Sequence, residues 1–196
     1  MAGDILAACR DLYVDGVRDD CSVAVYKLRQ RQVVNMMIGP PQNAGDDSRI
    51  LKLFMSKEGK RVVCGGTTAT LVSRYVNKPL VVCKEYPDPD IPAVASIEGI
   101  DLVTEGVITL GRVIEIAKDY VSQDVMPYDL TKKRDGASQV AHILFDTATD
   151  INIFVGQAVN RAHENMSINM GIKLKLIGDL ENYLEKMGKK VNVSYC

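Results

Sequence analysis

The segment from Arg61 to Val76, RVVCGGTTATLVSRYV, runs an apolar stretch into two glycines, two threonines and a helical pattern. Gly65 and Gly66 let the backbone turn sharply, and Thr67 or Thr68 can cap the helix that follows. Such a turn gathers unpaired N–H groups and hydroxyls at a helix N-terminus, which suits a phosphate or a carboxylate. The spacing is neither GxxxxGK(S/T) nor GxGxxG, so neither a Walker loop nor the usual dinucleotide fingerprint is present. A packing role stays open, because two glycines also let a helix lie close on a sheet. Two other junctions should fall on the same sheet edge. Thr104, Glu105 and Gly106 follow a short strand in DLVTEGVITL, and Gln157, Asn160, Arg161, His163 and Asn165 follow another in NIFVGQAVNRAHEN. Glu105 can orient a sugar hydroxyl, act as a base or bind a metal, and an acidic residue there also favours a helix N-terminus. His163 can bind phosphate or act as an acid/base beside the charge of Arg161, or be a solvated loop histidine.

The candidate ligand-binding residues are therefore Gly65, Gly66, Thr67, Thr68, Glu105, Asn160, Arg161 and His163. His142, inside VAHILF, is expected to pack on the core side and is given no role. Cys64 can be a thiolate stabilised by the helix end, but no base stands beside it, and a cysteine closing a buried strand is the reading adopted. Asp19 and Asp20 place two carboxylates in a tight loop before a strand, which can hold a hard divalent cation or form a solvated turn. No catalytic residue is assigned.

The elements that must position these groups follow from periodicity. Asp4–Tyr13 has helical spacing, VDGVRDD is a loop, and Ser22–Leu28 and Val33–Ile38 are strand-like runs around the basic turn RQRQ. Gly39–Asp47, GPPQNAGDD, suits a connection, so the chain divides into residues 1–39, a linker at 40–47 and a domain over 48–196. In that domain SRILKLFMSKEG is helical with Ser48 as N-cap, RVVC a strand, TTATLVSRYV a helix and PLVVC a strand. KEYPDPDIPAVASIEG, with three of the seven prolines, is an extended loop. IDLVTEG is a strand and turn, ITLGRVIEIAKDYV a helix, GASQVAHILFDTAT a helix and INIFVG a strand. QAVNRAHENM is a loop or short helix, IKLKLIG a strand, DLENYLEKMG a helix ended by Gly188, and KVNVSY a last strand. The alternation predicts an α/β domain, a mostly parallel sheet with helices on both faces, preceded by a helix and a β-hairpin. Ligands of such sheets gather at the carboxyl ends of the strands.

With 196 residues, 46% of them hydrophobic, the chain can bury a sizeable core. Its 24 Lys and Arg balance 25 Asp and Glu, which argues against a nucleic-acid or anionic-membrane partner. Absence of a long apolar run and of a signal-peptide pattern gives a cytoplasmic expectation. Five cysteines without a CxxC pair argue against a disulfide framework or a structural zinc site.

DILAACRDLYVDGVRDDCSVAVYKL resembles the end of a metal-dependent, PPM-type protein serine/threonine phosphatase of the bacterial stage II sporulation protein E branch. That family closes with a helix, a loop carrying RDN or RDD, then S/T-V and a strand, matched here by Arg18, Asp19, Asp20, Ser22 and Val23. The likeness covers about the first 40 residues. It implies that Asp19 is the last metal-ligating aspartate, with Asp20 its neighbour, and that the parent enzyme uses manganese or magnesium on a phosphoprotein substrate. The other acidic residues of a two-metal centre have no counterpart before residue 19, so the chain is expected to be inactive alone and to be the C-terminal piece of a longer enzyme. CGGTTATLVSRY, EGIDLVTEGVITL and VGQAVNRAHEN resemble the extra C-terminal domain of some clostridial-type relatives. A strand, GGTT, a helix and a later DLxxEG are also similar to phosphosugar isomerases and the sugar-phosphate-sensing domains of some repressors, which implies a phosphorylated small molecule as ligand. The leading expectation is a regulatory or ligand-binding module of a phosphatase. The alternative is an autonomous enzyme on a phosphosugar or acyl substrate, with Glu105 or His163 as acid/base. A third is dimerisation: orphaned strand edges offer pairing to another copy, so a homodimer is one expected assembly.

Overall fold

A computed structural model describes residues 2–12, 22–26, 28–83, 90, 92–123, 134–158 and 166–196. The chain divides into two units, Met1–Gln30 and Arg31–Cys196. In the first, helix α1 spans Ala2–Asp11, and its described residues beyond that helix form no strand.

The second unit is an α/β domain built on strands β1 (Val33–Ile38), β2 (Lys60–Cys64), β3 (Val81–Val82), β4 (Ala95–Ser96), β5 (Leu102–Thr104), β6 (Asp150–Val155) and β7 (Lys190–Tyr195). They form one sheet in the order β3-β4-β5-β2-β1-β6-β7, with β5 through β7 mutually parallel and the β3–β4 pair added antiparallel at one edge. Helices α2 (Asp47–Ser56) and α3 (Gly66–Val76) cover one face. Helices α4 (Val107–Gln123), α5 (Gly136–Ala141) and α6 (Met166–Lys186) cover the other, with a π-helical turn over His142–Thr147. Taken in chain order the parallel strands stand third, second, first, fourth, fifth across the sheet, the doubly wound order whose direction reverses between β1 and β6.

β1 corrects the expected domain division. VVNMMI is not one arm of a hairpin before a linker; it is the middle strand, paired in parallel to β2 on one side and β6 on the other. Its residues from Val34 to Ile38 are all buried, as a strand covered on both faces requires. Residues 40–47 are therefore a βα connection within the domain, containing a 3-10 turn at Ala44–Asp46. Helix α2 starts at Asp47, so Ser48 lies inside the helix rather than capping it.

Packing also overturns the strand expected at IKLKLIG, which forms the middle of α6. The apolar alternation of those seven residues fits a strand, but Ile177, Leu180 and Leu184 repeat at i, i+3, i+7 and are fully buried against the sheet. A continuous apolar stripe through both segments favours one helix over a strand and a helix. GASQVAHILFDTAT is likewise two elements: α5 is capped by Asp135, whose carboxylate accepts from Ser138 N at 2.8 Å, and the π turn ends with Ala148 N donating to Ile143 O. His142 does not face the core. Leu144 and Phe145 take those places, while the His142 side chain is 39% exposed with Nδ1 3.9 Å from Asp146.

A row of asparagines fixes the central register. Asn35 and Asn152 are partners across β1 and β6, and Asn152 and Asn192 across β6 and β7. Asn152 Nδ2 donates to Asn35 Oδ1 at 2.8 Å, Asn192 Nδ2 lies 3.4 Å from Asn152 Oδ1, and the buried Asn35 donates to Glu58 O at 2.8 Å. A slip of one residue would turn these amides to the opposite face and orphan them. With this register Thr104, Cys64, Ile38, Val155 and Tyr195 stand level at the carboxyl end of the sheet.

Candidate functional site

The residues that follow those five level positions are Glu105, Gly65, Gly39, Gly156 and Cys196, and they build the carboxyl edge. Gly65 turns the chain at φ 109°, ψ 134°, with its N–H on Thr104 O at 2.8 Å and its carbonyl taking the Ala69 N–H at 2.8 Å. Its backbone conformation is one that a side chain disfavours, so the first glycine of the pair is required by geometry. The second is not. Gly66 begins α3, and a Cβ there would meet nothing within 4 Å. Gly66 and Thr67 are exposed, so the turn is open to solvent rather than pressed against the sheet. As first-turn residues, Gly66, Thr67 and Thr68 have N–H groups with no acceptor inside the helix. Neither threonine caps α3: the N-cap position is Gly65, and Thr68 is buried.

Glu105 is engaged locally. Its Oε2 accepts from Ile108 N at 3.1 Å and reaches Thr109 N at 3.5 Å, so the carboxylate caps α4. This is the helix-end alternative noted for it from sequence. The two turns adjoin: a Cβ on Gly106 would lie 3.5 Å from Gly65 Cα. Beneath them Cys64 is fully buried. Burial pushes its thiol up to about 11, the Thr104 hydroxyl 3.4 Å away works against the rise, and the charge of Glu105 adds to it. A thiol so protonated is no nucleophile near neutrality.

At the reversal point between β1 and β6 the backbones cross closely. Gly156 N donates to Ile38 O at 2.8 Å, and Ala158 N to Pro40 O at 3.1 Å. A Cβ on Gly156 would overlap the carbonyl oxygens of Gly39 and Pro40, and one on Gly39 would lie 2.9 Å from Lys173 Nζ. Lys173, on α6, is half-buried and donates to Gly156 O. Burial holds its pKa below the usual lysine range, with Cys196 acting weakly in the other direction. Gln157 N and Gln42 N both donate to Cys196 O, at 2.7 and 3.2 Å, which ties β7 to the same place. Burial raises the Cys196 thiol, while Lys173 and Arg49 pull it down.

No protein-family model, curated protein or solved structure matches the chain. The site therefore rests on its own geometry. Of the residues expected from sequence, Gly65, Gly66, Thr67, Thr68 and Glu105 come together on one edge. Asn160, Arg161 and His163, and the acidic pair Asp19 and Asp20, lie outside the described residues. Among the described residues no three His, Cys, Asp or Glu side chains are grouped to hold a metal ion, and no helix is long and apolar enough to cross a membrane.

Sequence reasoning missed Lys173, Gly39 and Gly156. Reading IKLKLIG as a strand put Lys173 and Lys175 on one solvent face; in a helix they diverge, and Lys173 is half-buried while Lys175 is exposed. It also missed two buried oxygens, Asp47 Oδ1 and Thr109 Oγ1, that have no hydrogen-bond partner among the described residues, each in the first turn of a helix that starts at this edge. The turn after β1, Gly39-Pro40-Pro41-Gln42, lacks the glycine pattern that a dinucleotide pyrophosphate needs at that position.

Proposed function

We propose that Arg31–Cys196 is a ligand-binding module that takes a small phosphorylated molecule along the carboxyl edge of its sheet, with the phosphate on the N–H groups of Gly66, Thr67 and Thr68. The observation that carries this reading is the open start of α3: Gly66 has empty space where a side chain would stand, at the edge where doubly wound sheets collect ligands. Binding is favoured over catalysis because, among the described residues beside the α3 turn, the two groups best placed for chemistry are otherwise occupied. Glu105 caps α4, and Cys64 is buried as the thiol. In the same proposal the module is the regulatory domain of a PPM-type serine/threonine phosphatase. Residues Arg18 to Val23 support that part by resemblance, and β1 now belongs to the module rather than to the phosphatase end.

The test is titration of the isotope-labelled protein with inorganic phosphate and a panel of sugar phosphates. Amide shifts centred on Gly66–Thr68, with a matching rise in Tm, are the expected result. Saturable binding that leaves those amides unmoved would overturn the assignment. The chain alone should not hydrolyse p-nitrophenyl phosphate with manganese or magnesium; metal-dependent turnover by pure protein would refute its reading as a non-catalytic module.

A further inference from the structure

The mouth between β1 and β6 contains a cation that the α3 turn does not use. Lys173 is half-buried, forms no ion pair among the described residues, and spends one of its three N–H donors on Gly156 O. An ammonium placed this way loses water without gaining an ion-pair partner among the described residues, and that desolvation outweighs the opposing influence of Cys196 and lowers its pKa. Gly39 carries no side chain to cover it, since a Cβ there would stand 2.9 Å from Nζ. Lys173 comes from the α6 face of the sheet and α3 from the opposite face, and both reach the same level of strand ends.

We infer that Lys173 binds a second oxyanion of the ligand, so that the ligand class is a small molecule with negative groups at both ends, phosphoryl at one and phosphoryl or carboxylate at the other. The inference rests on the reading of the α3 turn as a phosphate site. Gly65 follows β2 and Gly156 follows β6, two strand spacings apart, so the charged ends are separated by about 10 Å. A molecule of that span lies across the sheet edge at the reversal point and touches both helix layers. One end meets helix N–H groups and the other a desolvated ammonium, whose two remaining donors make charge-assisted hydrogen bonds.

The experiment uses butane-, hexane- and octanediol bisphosphates, hexyl phosphate and 6-phosphooxyhexanoate as probes, with calorimetric affinities and Gly66–Thr68 amide shifts read together. In the wild-type chain hexanediol bisphosphate should bind about tenfold or more tightly than hexyl phosphate, with affinity peaking at one chain length. The phosphooxyhexanoate shows whether a carboxylate serves the second place. Lys173→Met should erase the advantage and Lys173→Arg retain part of it. Persisting phosphate-induced shifts at Gly66–Thr68 in Lys173→Met show that the variant is folded and its first anion point intact. No response of those amides to any probe in the wild type would overturn the α3 reading and this inference with it. A response there with equal affinity for bisphosphate and monophosphate, or an advantage that survives Lys173→Met, would overturn the role of Lys173 alone.

Discussion

Replacing Gly65 and Gly66 singly by alanine probes the turn through adjacent residues whose expected effects have opposite signs. At φ 109° and ψ 134° Gly65 holds a conformation that costs a residue with a Cβ about 1–3 kcal/mol. The added methyl would also stand 3.3 Å from Thr68 Oγ1, and buried Thr68 has little room to withdraw. The loss for Gly65→Ala is thus about 2–3 kcal/mol, the upper part of the strain range. Gly66 is already helical, and its Cβ position is empty. Alanine there gains helix propensity and restricts the unfolded chain, a stabilisation of about 0.5–1 kcal/mol. For a domain of this size each kcal/mol moves Tm by about 2–4 °C. Gly65→Ala should therefore melt about 5–10 °C below wild type, and Gly66→Ala at or slightly above it, by differential scanning calorimetry. Equal losses, or a larger loss at Gly66, would refute the geometry on which the open-turn reading stands.

Three further outcomes are expected. Asn35→Leu removes the bonds to Glu58 O and Asn152 Nδ2 and should cost about 2–4 kcal/mol in urea unfolding; coupling with Asn152→Leu near zero in a double-variant cycle would show that the amides do not act together. The folded Cys64 thiol lies at about 11 against an ordinary 9.0, so the unfolded chain ionises first, and stability that is complete below pH 9 should fall between pH 9 and 11. The fall, by about 2–3 kcal/mol at most, should be absent in Cys64→Ala, and parallel pH curves for the two proteins would contradict it. Lys173 titrates below the usual lysine range, so the preference for two-headed anions should fade as pH rises through that lowered value, with the Gly66 amide response to inorganic phosphate retained. Loss of both together would indicate unfolding instead of titration.

Local pattern made much of the fold legible. RVVC, TTATLVSRYV, ITLGRVIEIAKDYV, INIFVG and KVNVSY fall on β2, α3, α4, β6 and β7 because each has one clear period and a glycine, threonine or polar break at its end. What failed were choices that depend on distant residues. VVNMMI is a strand by any reading, but only its pairing with segments far along the chain makes it central rather than part of a hairpin. IKLKLIG satisfies a period of two over seven residues and a helical period over a longer window, and burial of Ile177, Leu180 and Leu184 decides between them. The Gly-Gly turn could be placed from sequence, yet its two glycines have different reasons: one for a backbone angle, the other for open space. Lys173 was invisible because its neighbours across the edge, Gly39 and Gly156, belong to segments more than a hundred residues apart in the chain, and only the strand order joins them.

The central place of β1 has a consequence for synthesis. As the chain leaves the ribosome, β1, β2 and β5 can associate with α2 and α3, but the far side of β1 stays unpaired until β6 appears. At ordinary translation rates the stretch of roughly fifty residues between Thr104 and Val155 takes about 3–10 s to emerge. Throughout that interval the nascent protein presents VVNMMI, a mostly apolar strand with one open side, as a template for a neighbouring chain on the same polysome. Asn35 is the polar interruption in that strand, and its amide meets its cross-strand partner Asn152 only when β6 arrives.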